Sequence, residues 1–350
     1  MAFHPPRCPN RDCAQHLRPV PDFYRRRGMY FPRCRRRGVQ RYRCTTCGCS
    51  FSRQTFRHDY RDRRPEANVR LFFLMTSGIG FRQAGRLLEM DVRAVQQKQR
   101  KLARTLGFLH GNLCRSLPGD RTWLLDEEET YECASIRPLT MPVLIEQQTW
   151  FVVATSVGSI RRLAPAGTAR RCRQDREEQQ NGPRPDQSSE CVRAVLDDLA
   201  CKVPQGNVTL HTDQKASYAT LARGVFGDRL THVTTAGTRI RDTHNPLFAI
   251  NTTLAMTRDN CGRLRRRSWL VTKKAVRLQE HLFVFTAYRN YVRRRFNRDK
   301  KAETPASFLE LLPRNLYRHE ILAWRQDWAD LSIHPMSNDG AHTVRDRMAA

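Results

Sequence analysis

Long apolar runs are absent from this chain of 350 residues. No segment approaches the roughly 20 consecutive apolar residues that a membrane-spanning helix needs, so the sequence predicts no membrane partner. Residues 1–6 also lack the apolar stretch of a secretory signal peptide. Twelve cysteines in a chain without an export signal favour metal binding and free thiols over disulfides.

Acidic residues are scarce relative to basic ones. The chain has 62 Lys and Arg against 34 Asp and Glu, which gives a formal net charge of +28 at pH 7. This charge is far larger than solubility requires. Arginine carries most of the excess, and its planar guanidinium group donates two hydrogen bonds to phosphate oxygens. The composition therefore predicts a polyanionic partner, with nucleic acid favoured over a membrane surface.

Two closely spaced cysteine pairs lie near the N-terminus. Four residues separate Cys8 from Cys13, two separate Cys44 from Cys47, and thirty lie between the pairs. Cysteine pairs of this spacing form tetrahedral four-thiolate zinc sites. A segment this short and polar needs such a site, because it cannot fold on apolar burial alone. We therefore expect a zinc ribbon over residues 1–64. The other cysteines of the segment, left as spare thiols in this interpretation, are Cys34 and Cys49.

Arginines of this segment alternate with aromatic residues. Basic side chains interleaved with aromatic ones suit contacts with phosphates and bases. The arginines are residues 25–27, 35–37, 41 and 43, and the aromatic residues are Tyr24, Tyr30, Phe31 and Tyr42.

Residues 65–112 have the apolar periodicity of helices. One helix is expected to end at 77–78, a second to cover 81–88, and a third to run from Val92 to Leu102 after a break. Two short helices around a tight turn are typical of a helix-turn-helix, and an ordinary helical hairpin between domains is the alternative. The side chains expected to reach DNA are Arg93, Gln96, Gln97, Lys98 and Arg100.

Two apolar, strand-like runs each end in an aspartate, Asp126 and Asp213. Further strands are expected over 142–145 and 150–155, and a helix over 189–203 precedes the strand that ends in Asp213. Three strands, a helix and a fourth strand follow the order of an RNase H-like α/β core, in which the first and fourth strands lie side by side. The two carboxylates would then meet, and such pairs hold divalent metal ions about 3.5–4 Å apart.

The remaining segments complete the expected domain organisation. The core spans 120–300 and includes a polar stretch, 160–188, that we expect to be a mobile insertion. Residues 301–350 are expected to form a helical tail with a disordered end.

Some of the glutamates 127–129 are expected only to face solvent. The basic residues expected to line a DNA path are Lys273, Lys274, Arg289, residues 293–295 and Arg298, whereas Tyr288, Tyr291 and Phe296 are expected to pack inside.

In this order of modules, the chain resembles the small insertion-sequence DDE transposases of bacteria. The resemblance spans nearly the whole chain. It rests on Cys-Pro-x3-Cys at residue 8, Arg-Tyr-Arg-Cys-x2-Cys-Gly at residue 41 with Phe51, Asp-Glu at residue 126, His-Thr-Asp at residue 211, and an arginine cluster at 263–268.

The resemblance implies an enzyme that binds terminal inverted repeats and cuts the transposon ends with a metal-activated water. The freed 3′-hydroxyl then attacks target DNA. It also implies double-stranded DNA as the partner, self-association for synapsis, and a location in the bacterial cytoplasm with the nucleoid.

By the same resemblance, Asp126 and Asp213 are the first and second ligands of Mg²⁺ or Mn²⁺. Alignment of the arginine cluster places Asn251 at the third ligand position, where the family usually has glutamate. An amide oxygen can bind magnesium but brings no charge. Arg258 lies two turns along the same helix face and would point at the scissile phosphate. The rival third ligands are Asp259 and Glu280.

Two other functional classes are weighed against this one. A catalytically inactive DNA-binding regulator, or a decayed transposase, would share the basic surface and the zinc site. An RNA-binding ribbon protein is disfavoured, because it leaves both strand-end aspartates unexplained.

Overall fold

The computed structural model describes residues 3–10, 12–31, 38–57, 59–115, 117–240, 242–265 and 270–323. They form a mixed α/β protein with a small three-stranded sheet and a larger mixed sheet. Within these ranges no helix is both long and apolar enough to cross a membrane. Several predictions fall outside the described residues, namely those for Cys34, the arginines 35–37, the cluster residues 266–268 and the end of the tail.

The N-terminal segment folds around a three-stranded antiparallel sheet. Helix α1 (Ala14–Leu17) is followed by β1 (Tyr24–Tyr30), β2 (Val39–Cys44) and β3 (Ser50–Ser52), in the order β1-β2-β3. A small aromatic core lies beside the cysteines, and the rings of Tyr42 and Phe51 stack there with centroids 5.9 Å apart. A core of this size needs a further cross-link to be stable.

Three helices follow the small sheet: α2 (Ala67–Met75), α3 (Phe81–Leu88) and α4 (Val92–Leu113). The turn between α3 and α4 is tight because Glu89 adopts a left-handed conformation, with φ of 50°. The Asp91 side chain then caps α4 by accepting the backbone N–H of Arg93 at 2.8 Å. Helix α4 continues past Leu102 to Leu113, and its second half packs in the main core.

The larger sheet has the order β6-β5-β4-β8-β9, with β7 beside β5. Strand β4 pairs antiparallel with β5, and β5 with β6; β4 pairs parallel with β8, and β8 with β9. The first and fourth long strands are therefore neighbours. The strands are β4 (Thr122–Tyr131), β5 (Pro138–Glu146), β6 (Val152–Thr155), β7 (Gly158–Ser159), β8 (Val208–Asp213) and β9 (Leu230–Thr235).

Helices cover both faces of this sheet. Trp123 and Leu125 of β4 pack on one face with α4, α6 and α7, and Leu124 packs on the other face with α8 and α9. This alternation follows the two-residue period of a strand. The helices are α5 (Ala169–Asn181), α6 (Ser188–Lys202), α7 (Ala216–Phe226), α8 (Phe248–Asn260), α9 (Ala275–Tyr291), α10 (Pro305–Phe308) and α11 (Arg318–Ala323), and short 3-10 helices cover Arg53–Phe56, Gly227–Arg229 and Gly262–Leu264.

The polar stretch 160–188, expected to be a mobile insertion, contains helix α5. Thr168 caps the helix by accepting the backbone N–H of Arg171 at 3.1 Å. Glu177 pairs with Arg137 of the preceding hairpin at 2.5 Å. Polar contacts hold this helix in place, and an apolar pattern in the sequence could not reveal them.

Two histidines are buried in the neutral form. His110 lies 2.9 Å from both the Tyr291 hydroxyl and the Val153 carbonyl oxygen, and His281 Nε2 lies 2.7 Å from the Met75 carbonyl oxygen. The pKa of each histidine is lowered to about 3. Burial is the main cause, and the positive charge of Lys202 (for His110) or Arg263 (for His281) adds to it. Since an unfolded histidine titrates near a pKa of about 6.5, the unfolded state binds these protons first.

The stability contributed by each neutral histidine is complete above about pH 6.5 and declines as the pH falls toward the folded pKa. Between pH 7 and pH 5 each should lower the free energy of unfolding by about 2 kcal/mol. Urea unfolding, measured at both pH values, should show a smaller loss in His110→Gln than in the wild type. The exposed His244→Gln serves as the control. Equal losses in His110→Gln and the wild type would contradict this account.

Candidate functional site

Four cysteines converge in the N-terminal segment. Cys8 precedes α1, Cys13 occupies the N-cap position of α1, Cys44 ends β2, and Cys47 lies in the following turn. The sulfurs of Cys8 and Cys47 are 3.5 Å apart, those of Cys13 and Cys44 are 3.8 Å apart, and all four lie within 4.8 Å of one another. Four thiolates about 2.3 Å from a tetrahedral zinc ion have sulfurs about 3.8 Å apart. The predicted cluster is confirmed, and it can bind a metal such as zinc.

Cys49 is not part of this group, in agreement with its place as a spare thiol. Its backbone N–H instead donates to the Cys47 sulfur, and this is the main reason why the pKa of Cys47 is lowered to about 7. A lower pKa favours the thiolate, which is the form that binds a metal.

The parallel pairing of β4 with β8 places the two aspartates at equivalent positions. Leu124 is paired with His211, and Asp126 and Asp213 each follow two residues later. Because side chains alternate along a strand, both carboxylates lie on the face that Leu124 shares with α8. Both are half-buried. The structure therefore brings together two residues that are 87 positions apart in the sequence.

The prediction that β4 ends at Asp126 is wrong. Strand β4 continues to Tyr131 because β5 pairs with it as far as Pro138, although β8 ends at Asp213. Asp126 therefore lies where β4 extends beyond its parallel neighbour, whereas Asp213 is the last residue of its strand.

Backbone hydrogen bonds orient both aspartates. Asp126 Oδ1 accepts the N–H of Glu127 at 2.7 Å, and Asp213 Oδ1 accepts the N–H of Lys215 at 3.0 Å. The pKa of Tyr218 is raised first by burial and then by the negative charges of Glu127, Asp126 and Asp213. The three carboxylates thus favour the protonated form of the Tyr218 hydroxyl.

Glu127 and Glu128 do not simply face solvent. The Glu127 side chain is only 8% exposed. It accepts hydrogen bonds from the Tyr218 hydroxyl at 2.9 Å and Thr140 Oγ1 at 2.6 Å, and Lys215 Nζ forms an ion pair with it. Glu128 is buried and forms an ion pair with Arg258. The Glu129 side chain is the most exposed of the three, at 43%. Alternation along a longer β4 was the signal in the sequence that could have identified the two buried glutamates.

Helix α8 carries Asn251 and Arg258 on one stripe, because seven residues correspond to two helical turns. Leu254 of the same stripe packs in the core beside β4 and β5. Arg258 reaches β4 through Glu128, two residues beyond Asp126, so its guanidinium group is held rather than free. The half-buried Asn251 amide has no hydrogen-bond partner in the described part of the chain. Of the rival ligands, Asp259 is exposed, and Glu280 forms an ion pair with Arg277.

Two basic residues assigned to DNA contact are buried, and those assignments are wrong. Lys98 Nζ donates to Asp62 Oδ2 and Asn68 Oδ1, both at 3.0 Å, so it attaches the ribbon linker to α4. Arg289 donates to the carbonyl oxygens of Arg294 and Arg295 at 3.2 and 2.8 Å. The packing predicted for Tyr288, Tyr291 and Phe296 is confirmed.

Two exposed surfaces carry basic residues that were expected to contact DNA. On α4, Arg93, Gln97 and Arg100 share one exposed face. In the small sheet, Arg25 lies directly opposite Arg43 across β1 and β2, and both are exposed. Like charges in such cross-strand pairs repel. A polyanion on this surface would relieve that repulsion.

The chain was compared with protein families and with curated proteins. A scan against models of protein families gives no match, and a search of curated proteins finds none similar to this chain.

The cysteine cluster gives a direct prediction. The wild-type protein should bind one zinc ion per chain, and Cys44→Ser should lose it, because three thiolates close the tetrahedral site poorly. Metal content after dialysis is the measurement, and Cys49→Ser is the matched control that should keep the full complement. Retention of one zinc ion by Cys44→Ser would show that these four thiols do not form the site.

Proposed function

We propose that this chain is an insertion-sequence DNA transposase of the DDE type, in which Asn251 replaces the usual third acidic residue. The parallel register that sets Asp126 beside Asp213, on the face covered by α8, is the observation that carries the proposal. The strand order β6-β5-β4-β8-β9, with helix α6 ahead of β8, supports an RNase H-like core.

The donor groups at this face suit Mg²⁺ or Mn²⁺, since both ions prefer oxygen ligands. Asp126, Asp213 and the unpartnered amide of Asn251 would hold the metal, which supplies activation of the attacking oxygen and stabilisation of the leaving one. Because Asn251 brings no charge, the two aspartates carry the negative charge of the site.

The surrounding residues hold this arrangement in place. Lys215 and Tyr218 hold Glu127 on the opposite face of β4, which fixes the position of the residue next to Asp126. The ion pair with Glu128 fixes the Arg258 guanidinium group, which can orient a phosphate from this position. Preorganised groups of this kind lower the cost of reaching the transition state.

DNA recognition is proposed for the two basic surfaces. In this arrangement the zinc ribbon (1–64) and a helix-turn-helix (65–112) bind the terminal inverted repeats, and the core (120–300) breaks and joins strands. Phosphate contacts from Arg25, Arg43, Arg93 and Arg100 would supply affinity that falls with salt. Two DNA ends must meet for strand transfer, so self-association belongs to the same proposal.

A second candidate function is a DNA-binding regulator without chemistry. Two observations favour it: the third ligand position lacks a carboxylate, and the Arg258 guanidinium is already paired with Glu128. Such a protein would bind the same DNA ends but would not nick them in the presence of Mg²⁺ or Mn²⁺.

Asp213→Ala should abolish metal-dependent cleavage and strand transfer on duplexes that carry the element's own ends. A loss of at least about 1000-fold is expected, which corresponds to about 4 kcal/mol of transition-state stabilisation. DNA affinity should stay within about twofold, because phosphate contacts dominate it. Asp228→Ala, at an exposed position, is the matched control. Strand transfer by Asp213→Ala would refute the catalytic assignment, and a wild-type protein that binds without nicking would favour the regulator.

The third ligand can be identified by comparing three variants in the same assay. Asn251→Ala should lower the cleavage rate by about 100-fold, since one metal ligand is lost. Asn251→Asp should retain cleavage and lower the Mg²⁺ concentration needed for half-maximal rate, because it adds a charged ligand. Asp259→Asn and Glu280→Gln should behave like the wild type. A selective loss in either of the last two variants would move the third ligand to that residue.

A further inference from the structure

A cavity of about 760 Å³ lies between the three-helix segment and α9, apart from the residues of the candidate active site. Helices α3 and α4 form one wall, and the 3-10 helix Gly262–Leu264 and the start of α9 form the other. This volume is in the range of cavities that enclose small organic ligands.

The lining of the cavity is strongly basic. Seven of its side chains are Arg or Lys, against a single carboxylate, that of Glu280. Glu280 is itself paired with Arg277. The formal charge of the lining is therefore +6, which favours an anionic ligand.

Arg263 is the most desolvated of these cations. Its guanidinium group lies 4.8 Å from the centre of the Phe81 ring, and burial lowers its pKa to about 10. Among the described residues, no carboxylate forms an ion pair with it. A guanidinium group in this setting is suited to phosphate, whose oxygens accept its paired hydrogen bonds.

Two neutral side chains of the lining have unsatisfied polar atoms. Gln99 and His281 are both 2% exposed, and Gln99 Nε2 and His281 Nδ1 have no hydrogen-bond partner. His281 Nε2 lies 2.7 Å from the Met75 carbonyl oxygen, so that nitrogen carries the proton and Nδ1 is an acceptor. Gln99 can therefore donate one hydrogen bond and His281 can accept one, and a nucleobase edge carries both kinds of group.

Apolar side chains complete the lining. Ile79, Val92 and Leu270 contribute to the same walls as Gln99 and His281. They can cover the faces of a flat ring while its edge is hydrogen-bonded, as in most small-ligand sites.

We propose that this cavity binds one nucleoside phosphate, with the base near Gln99 and His281 and the phosphate on Arg263. The ligand has two sources, a free nucleotide or a nucleotide turned out of a DNA strand that lies along α4. Arg100 lines the cavity and is exposed on the face of α4 that also carries Arg93 and Gln97, so this face adjoins the cavity. The proposal does not depend on metal-dependent cleavage.

The first arm of the test titrates the full-length protein with deoxynucleoside 5′-monophosphates, with inorganic phosphate as the reference anion. The second arm uses duplexes with 2-aminopurine at successive positions, because the fluorescence of this base rises when it leaves the stack. Arg263→Gln and Gln99→Leu are the test variants. Arg173→Gln, an equal charge change at an exposed position of α5, is the matched control. Zinc content and circular dichroism verify that each variant folds.

A free-nucleotide site predicts one monophosphate per chain, bound at least tenfold more weakly by Arg263→Gln and within twofold by Arg173→Gln. A flipped-nucleotide site predicts a fluorescence rise that Gln99→Leu abolishes while DNA affinity is kept. In either case Asp213→Ala should behave like the wild type, which separates this proposal from the catalytic one. The proposal is overturned if neither signal occurs, if inorganic phosphate binds as tightly as nucleotides, or if the signals persist in both variants.

Discussion

The backbone ladder between β4 and β8 is the interaction on which the site depends. Its parallel register places Asp126 and Asp213 two residues beyond the last paired positions of both strands. A slip of one residue in β8 would turn Asp213 to the opposite face, since side chains alternate along a strand. Val208 and Leu210 of β8 oppose such a slip, because both are fully buried in the core on one face of the sheet and would be turned out of it.

Charge balance around these strands follows from the same alternation. Acidic residues 126–129 are consecutive in β4, so they project alternately to the two faces of the sheet. On one face Glu127 is neutralised by Lys215, and on the other Glu128 is neutralised by Arg258. Backbone N–H groups donate to both aspartates and orient their carboxylates. Oriented carboxylate oxygens are the ligands that a divalent cation such as Mg²⁺ prefers.

Local patterns in the sequence predict some features well and others not at all. The candidate zinc ligands could be predicted because the spacing within each cysteine pair is a local property of the sequence. The structure shows the cluster of Cys8, Cys13, Cys44 and Cys47. The burial of Lys98 could not be predicted, since its partner Asp62 lies 36 residues earlier and only the fold brings the two together. The continuation of β4 beyond Asp126 was missed because a run of acidic residues resembles a turn. This part of β4 has no pairing with β8 and is stabilised by its pairing with β5.

The most direct test of the account is anomalous diffraction from crystals of the protein soaked in Mn²⁺. The account predicts a peak about 2.2 Å from carboxylate oxygens of both Asp126 and Asp213, with the Asn251 amide oxygen in the same coordination sphere. A manganese ion bound by only one of the two aspartates, or no peak between β4 and β8, would contradict it.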